Sequence, residues 1–210
     1  EGVRPYRILA VTFTNRAARE MQTRVEKLLG NDATQGMLLG TFHAICARLL
    51  RREAESLPLG SNFVIFDADD QERMVKGIIR ELNLNEKLYR PASVHAAISN
   101  AKNELIGADD YPITTYRDEV VKRVYAEYQK RLVASNAVDF DDLLLYTARL
   151  LEDNPAVREK YARRFEHVLV DEFQDTNLAQ YTLIKHLSSA HRNIFVVGDP
   201  DQSIYRWRGA

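Results

Sequence analysis

Cysteine is almost missing from this chain of 210 residues, with Cys46 the single example. One thiol excludes an internal disulfide framework and fits a reducing compartment. No Cys/His cluster has the spacing of a zinc site, so a structural metal is not expected. No apolar run approaches the roughly 20 residues that a bilayer-spanning helix needs, and no basic-then-apolar leader opens the sequence. Together these absences predict a soluble cytoplasmic protein with no membrane partner. An excess of either charge is also missing, since 29 basic residues face 30 acidic ones for a net charge of −1. Proteins that coat nucleic acid usually carry a basic surplus. Any polynucleotide binding here must therefore rest on a local patch and on stacking side chains.

What is present suits a packed globular fold. Hydrophobic residues make up 45% and charged residues 28%, enough for a core beneath a wet surface. The length allows one large or two small domains. Four short apolar runs are continuous rather than alternating, the pattern of strands covered on both faces. They are Arg7-Ile8-Leu9-Ala10-Val11-Thr12-Phe13, Met37-Leu38-Leu39-Gly40-Thr41-Phe42, His167-Val168-Leu169-Val170-Asp171 and Asn193-Ile194-Phe195-Val196-Val197-Gly198. Polar residues follow each run at once, and three of the four lead into a helical pattern. The first helix follows Asn15 as its N-cap, buries Ala18, Met21, Val25, Leu28 and Leu29, and closes at Gly30. The second buries Ile45, Leu49 and Leu50. The third follows Asp175-Thr176-Asn177 and buries Tyr181, Ile184 and Leu187.

Strand–loop–helix repeats of this kind predict an α/β fold with a parallel sheet, whose ligands collect at the carboxyl ends of the strands. Residues 67–137 differ, with helical apolar spacing only, as in Met74, Val75, Ile78, Ile79 and Leu82. They are expected to form an all-helical insertion. Residues 1–66 and 138–210 then make up the two parts of the α/β domain, with further helices at residues 138–151 and 156–165.

The sharpest chemical signal is Val168-Leu169-Val170-Asp171-Glu172, an apolar strand delivering two adjacent carboxylates to the rim of the sheet. Neighbouring strand residues point to opposite faces, so the two acids can take different tasks. One suits Mg²⁺, which favours carboxylates together with phosphate oxygens. The other suits proton transfer from, or orientation of, an attacking water. Acids that merely end a strand would look the same, and the neighbouring segments tip the balance. Phe173-Gln174-Asp175-Thr176-Asn177 adds polar groups to that rim. A second strand then ends in Gly198-Asp199-Pro200-Asp201-Gln202-Ser203-Ile204-Tyr205-Arg206-Trp207-Arg208-Gly209-Ala210. The amide of Gln202 can touch both a phosphate oxygen and a water. Trp207, the only tryptophan, lies between arginines, which favours stacking on a base over core burial. Elsewhere the plainer readings prevail. Cys46 is a small core residue, and Arg48, Arg51 and Arg52 form a solvated helix face. Asp139, Asp141 and Asp142 favour a helix start over a second metal site.

Residues 170–177 and 198–210 resemble the second and third motifs of superfamily 1 DNA helicases of the UvrD/Rep/PcrA type. Three further segments match in family order. Ala10-Val11-Thr12-Phe13-Thr14-Asn15-Arg16-Ala17-Ala18-Arg19-Glu20-Met21 is similar to motif Ia. Gly40-Thr41-Phe42-His43-Ala44-Ile45 is similar to motif Ib. Val138-Asp139-Phe140-Asp141-Asp142-Leu143-Leu144 is similar to the point of re-entry into the motor domain. The resemblance implies a RecA-like motor domain that uses ATP and Mg²⁺ for 3′→5′ unwinding in DNA repair or replication. Its partners would be single-stranded DNA, single/double-strand junctions and a second motor domain. It assigns Asp171 to Mg²⁺, Glu172 to the hydrolytic water and Gln202 to the γ-phosphate. Phe13 and Trp207 become base-stacking residues, and Thr12, Thr14 and His43 lie near the strand's backbone. Tyr205 and Arg208 help couple DNA to nucleotide.

The family's phosphate-cradling loop, G-x-x-x-x-G-K-S/T, does not occur in these residues. The chain is therefore expected to be an excerpt with exposed sheet edges and no ATPase activity by itself. A motor-like subunit of a helicase–nuclease complex and a catalytically silent single-strand-binding module are the alternative readings. The silent module has no use for Asp171, Glu172 and Gln202.

Overall fold

The structure is a computed structural model and describes residues 2–30 and 34–203. It divides into two compact units, Glu1–Leu49 with Tyr146–Ala210, and Leu50–Leu145. The second begins and ends outside residues 67–137.

The first unit is built on a parallel four-stranded sheet. Its strands are β1 (Ile8–Thr12), β2 (Leu38–Thr41), β5 (His167–Val170) and β6 (Ile194–Val196), in the order β2-β1-β5-β6. Register aligns Leu9 with Val168 and Val11 with Val170, so these four side chains share one face. Against the sheet pack helices α2 (Phe42–Arg52), α6 (Phe140–Asp153) and α8 (Leu178–Leu187). Leu9, Val11, Ile45, Leu49, Val168, Leu183, Ile184 and Leu187 are all buried. At roughly 1.5–3 kcal/mol for each buried aliphatic side chain, this one layer is a major source of the unit's stability. Cys46 is buried in the same layer. There its thiol is pushed up to about 12, because burial disfavours the thiolate more than a hydrogen bond with Thr147 favours it.

Four sequence expectations need correction here. Helix α1 (Asn15–Leu29) fully buries none of its residues, and Leu28 and Leu29 are 81% and 64% exposed. They occupy its last turn, where no described residue covers them. Its N-cap is Thr14 rather than Asn15, and the Thr14 hydroxyl accepts a bond from the Ala17 amide at 3.1 Å. In α8 the buried stripe runs through Ala179, Leu183, Ile184 and Leu187, and Tyr181, turned away from it, is exposed. Finally, β6 is not covered on both faces. It has β5 as its single described neighbour, and Ile194, Phe195 and Val196 are all exposed. Helix α7 (Pro155–Arg164), also in this unit, starts at an Asn154 cap and buries Val157, Tyr161 and Ala162.

The second unit is mainly helical. Its helices are α3 (Ala68–Glu81), α4 (Pro91–Asn103) and α5 (Tyr116–Ala134). They close around Val75, Ile78, Ile79, Val94, Ile98, Val120, Val124, Tyr125, Tyr128 and Leu132. Reciprocal caps start two of them, Asp67 with Asp70 for α3 and Thr115 with Asp118 for α5. A two-stranded parallel ladder joins β3 (Val64–Ile65) to β4 (Ala137–Val138). The buried ammonium of Lys102 lies 2.7 Å from carboxylates of both Asp139 and Asp142. Asp139 and Asp142 also cap the start of α6 reciprocally, each accepting the other's backbone N–H. Tyr128 and Gln129 donate to the pair at 2.9 and 3.0 Å. Burying charge is costly unless it is paired and hydrogen-bonded, and here it is both.

Candidate functional site

Because all four strands of the large sheet run parallel, their carboxyl ends form one rim. The tip of β5 is held from both sides. The Asp171 amide donates to the Val11 carbonyl at 3.0 Å, and the Val197 amide donates to Val170 at 2.9 Å. Glu172 comes next with φ of 53°, in the left-handed region that a residue with a side chain enters only at a cost. Pairing with the β6 segment continues past this residue, the Phe173 amide donating to the Val197 carbonyl at 2.9 Å. A 3-10 turn, Phe173–Asp175, leads to Asn177, which caps α8 reciprocally with Gln180.

The β6 tip runs alongside. Asp199 caps the short turn Pro200–Gln202, accepting from the Asp201 amide at 3.0 Å and from the Gln202 side-chain amide at 2.8 Å. Gln174 spans the two tips, donating to Glu172 Oε2 at 2.6 Å and accepting from the Asp199 amide at 3.0 Å. Glu172 and Gln202 therefore belong to one continuous hydrogen-bonded path, with Asp171 next to Glu172 at the same strand tip. Neither Asp171 nor Glu172 is ion-paired among the described residues, and both are half-buried. Among the described residues no group of three or more His, Cys, Asp or Glu could hold a metal ion. An acid pair without a third protein ligand fits Mg²⁺, which keeps waters and arrives with phosphate oxygens.

The neighbouring tips carry the other candidates. Thr12 is fully buried, and its hydroxyl has no hydrogen-bond partner among the described residues. Thr14 is exposed, but its hydroxyl is engaged as the α1 cap. Phe13 is half-buried, and its ring stands edge-on to that of Phe42, 5.4 Å between centroids at 64°. His43 lies half-buried in the first turn of α2, whose start is capped by the Thr41 hydroxyl accepting from Ala44 at 3.2 Å. Tyr205, Trp207 and Arg208 lie outside the described residues.

Sequence reasoning gave no individual role to two residues, Gln174 on this rim and Lys102 in the buried charge cluster of the helical unit. Gln174 sits between the acid pair and Asp175 with no spacing pattern to mark it. Lys102 reads as one more polar residue at the end of a helix, and nothing local announces its burial. The caps made by Thr14 and Thr41 were legible in principle, since a threonine before a helical pattern is a start signal.

Comparison with known proteins adds the family. No helix among the described residues is long and apolar enough to cross a membrane. The ATP-dependent DNA helicase PcrA of Bacillus subtilis is 49% identical over 210 residues, covering 99% of this chain and 28% of that protein. PcrA of Staphylococcus aureus is 47% identical over 212 residues, covering the whole chain and 29% of that protein. PcrA of Staphylococcus epidermidis is 46% identical, again over 29% of its length. The chain thus spans well under a third of the curated relatives it matches. The model of the UvrD/REP helicase N-terminal domain matches residues 1–210, and the chain belongs to that family.

Proposed function

We propose that this chain forms the N-terminal part of a cytoplasmic, ATP-dependent DNA helicase that moves 3′→5′ along single-stranded DNA and opens single/double-strand junctions. In this reading residues 1–66 and 138–210 belong to the first motor domain, and residues 67–137 form its helical insertion. A second motor domain of the same polypeptide completes the nucleotide site.

One observation carries the proposal. The acid pair of β5 and the Gln202 turn of β6 share a single rim, where hydrogen bonds link Glu172 to Gln202, in a chain whose relatives are named ATP-dependent DNA helicases. Asp171 is the residue that would hold Mg²⁺, and Mg²⁺–ATP supplies the phosphoryl group that water attacks. Glu172 orients that water and takes its proton, and an unpaired carboxylate at a strand tip is suited to both tasks. Gln202 offers an amide donor to a terminal phosphate and an acceptor to the water, so its contacts change when that phosphate leaves. Phe13, buttressed by Phe42, presents a ring for base stacking at the neighbouring tip of β1. Trp207, Tyr205 and Arg208 continue the chain from Gln202 and are assigned to the same strand. Thr14 and His43 line the approach to its backbone, and Thr12, fully buried, supports that rim from within.

The test is ATP turnover by the full-length protein with and without single-stranded DNA. Stimulated hydrolysis that falls at least about 100-fold in Glu172→Gln, with DNA binding retained, is the expected result. DNA binding with no hydrolysis in the unsubstituted protein would support the silent module instead. DNA cleavage accompanying hydrolysis would support the helicase–nuclease subunit.

A further inference from the structure

We infer that Gln174 is a positioning residue that fixes the Glu172 carboxylate and ties it to the turn bearing Gln202, and that Gly198 is glycine to leave room for it. The inference rests on the hydrolytic reading above and extends it to two residues that reading does not use.

The geometry is specific. A primary amide carries donors on its nitrogen and an acceptor on its oxygen, so it can join a donor on one side to an acceptor on the other. The Asp199 N–H can only donate, so the Gln174 oxygen must face it. The Gln174 nitrogen is then left to face Glu172, which as a carboxylate can only accept. Both bonds are made, at 3.0 Å and 2.6 Å. A residue in the left-handed region needs its surroundings to hold it there, and Glu172 has φ of 53°. Gln174 supplies a bond to its side chain, and the Phe173–Val197 bond holds the backbone just beyond it. On the far side, Asp199 passes the connection to Gln202 through its own carboxylate at 2.8 Å. The path from acid to amide is thus Glu172, Gln174, Asp199, Gln202, with no gap.

Gly198 makes the path possible. A Cβ added there would stand 2.5 Å from Gln174 Oε1, 3.1 Å from the Gln174 backbone nitrogen and 3.2 Å from that of Phe173. The backbone contacts cannot yield, because Phe173 is tied to Val197. Any side chain at position 198 must therefore push the Gln174 amide off the Asp199 N–H. The position does not need glycine for its φ, which lies outside the left-handed region. Space is what it provides.

The test uses the full-length protein. In Gln174→Ala the kcat for DNA-stimulated ATP hydrolysis should fall about 10- to 100-fold, as expected for a displaced catalytic group, with the KM for ATP within about twofold. Gly198→Ala should reproduce this, and the double variant should be no worse than either single one, because both break the same link. Amide hydrogen exchange at Asp199 should quicken in both. Gln174→Glu keeps the acceptor but loses the donor, so it should lower kcat like alanine while Asp199 stays protected. Unchanged kcat in Gln174→Ala, or additive losses in the double variant, would overturn the inference. So would unaltered Asp199 exchange, which reads the link without reference to activity. If the unsubstituted protein hydrolyses no ATP, the functional reading fails, and the exchange measurement still decides whether the link exists.

Discussion

Glu172 is held in a conformation that its own side chain opposes. Left-handed backbone costs an L-residue on the order of 1–2 kcal/mol relative to glycine, and the turn after β5 requires it. Glu172→Gly should therefore leave thermal stability unchanged or raised by up to about 1 kcal/mol, while ATP turnover is lost. The gain is limited because glycine also has more freedom in the unfolded chain. Calorimetry beside a turnover assay checks this, and a clear fall in melting temperature would show that the carboxylate is structural. At this scale the sequence was partly legible. The place of the acid pair at the tip of an apolar strand was legible, although acids that merely end a strand look the same and only the neighbouring segments favoured the chemical reading. The role of Gln174 was not, because it depends on a residue 25 positions away whose backbone N–H happens to lie opposite.

Elements were legible where periodicity alone decides them and less so where neighbours do. All four strands of the large sheet appear at the expected runs, since four or five continuous apolar residues have little choice. Which of them would be covered was not legible. Coverage belongs to strand order, and β6 lies at the outside of the described sheet. Helix α1 was placed correctly, but its cap was misassigned by one residue and its last turn wrongly buried. The cap has a measurable consequence. Thr14→Ser should preserve the bond to Ala17 and leave stability within about 0.5 kcal/mol, whereas Thr14→Ala should cost about 1 kcal/mol by urea denaturation. Equal effects from both substitutions would mean that the hydroxyl does not cap the helix. Because the same hydroxyl is a candidate contact to DNA, the serine variant separates the two roles.

For the molecule as a whole, each compact unit has its own means of staying folded. The sheet unit relies on aliphatic burial between strands and helices, whereas the helical unit also encloses ionised groups. Two carboxylates against one ammonium leave one negative charge in excess, and the consequence falls chiefly on Asp142, with the neighbouring Asp141 also raised by burial and by the Asp139 charge. Burial and the nearby Asp139 charge push Asp142 up to about 6, although Lys102 opposes them. For Asp139, burial raises the carboxyl, but the charge and hydrogen bond of Lys102 together with bonds from the Asp142 backbone and Tyr128 hold it below the usual range. A raised acid contributes stability that is complete below its unfolded value and is lost as pH rises through the folded one. The Asp142 contribution should thus fade between about pH 4 and pH 6. In Asp142→Asn, stability measured by urea unfolding should lose that decline with rising pH. Removing the cation with Lys102→Met leaves both acids uncompensated and should cost on the order of 3–5 kcal/mol. Hydrogen exchange should quicken through Leu50–Leu145 before it does in the sheet. Uniform loss of protection across both units would mean that they do not fold separately.

The small ladder between β3 and β4 has an effect out of proportion to its size. By setting Val64 beside Ala137, it brings the departure and return of a long helical excursion to one spot, as a drawstring closes a bag. Segments can be added to or trimmed from the excursion's outer loops without shifting the place where the chain resumes. An engineer could splice a reporter there.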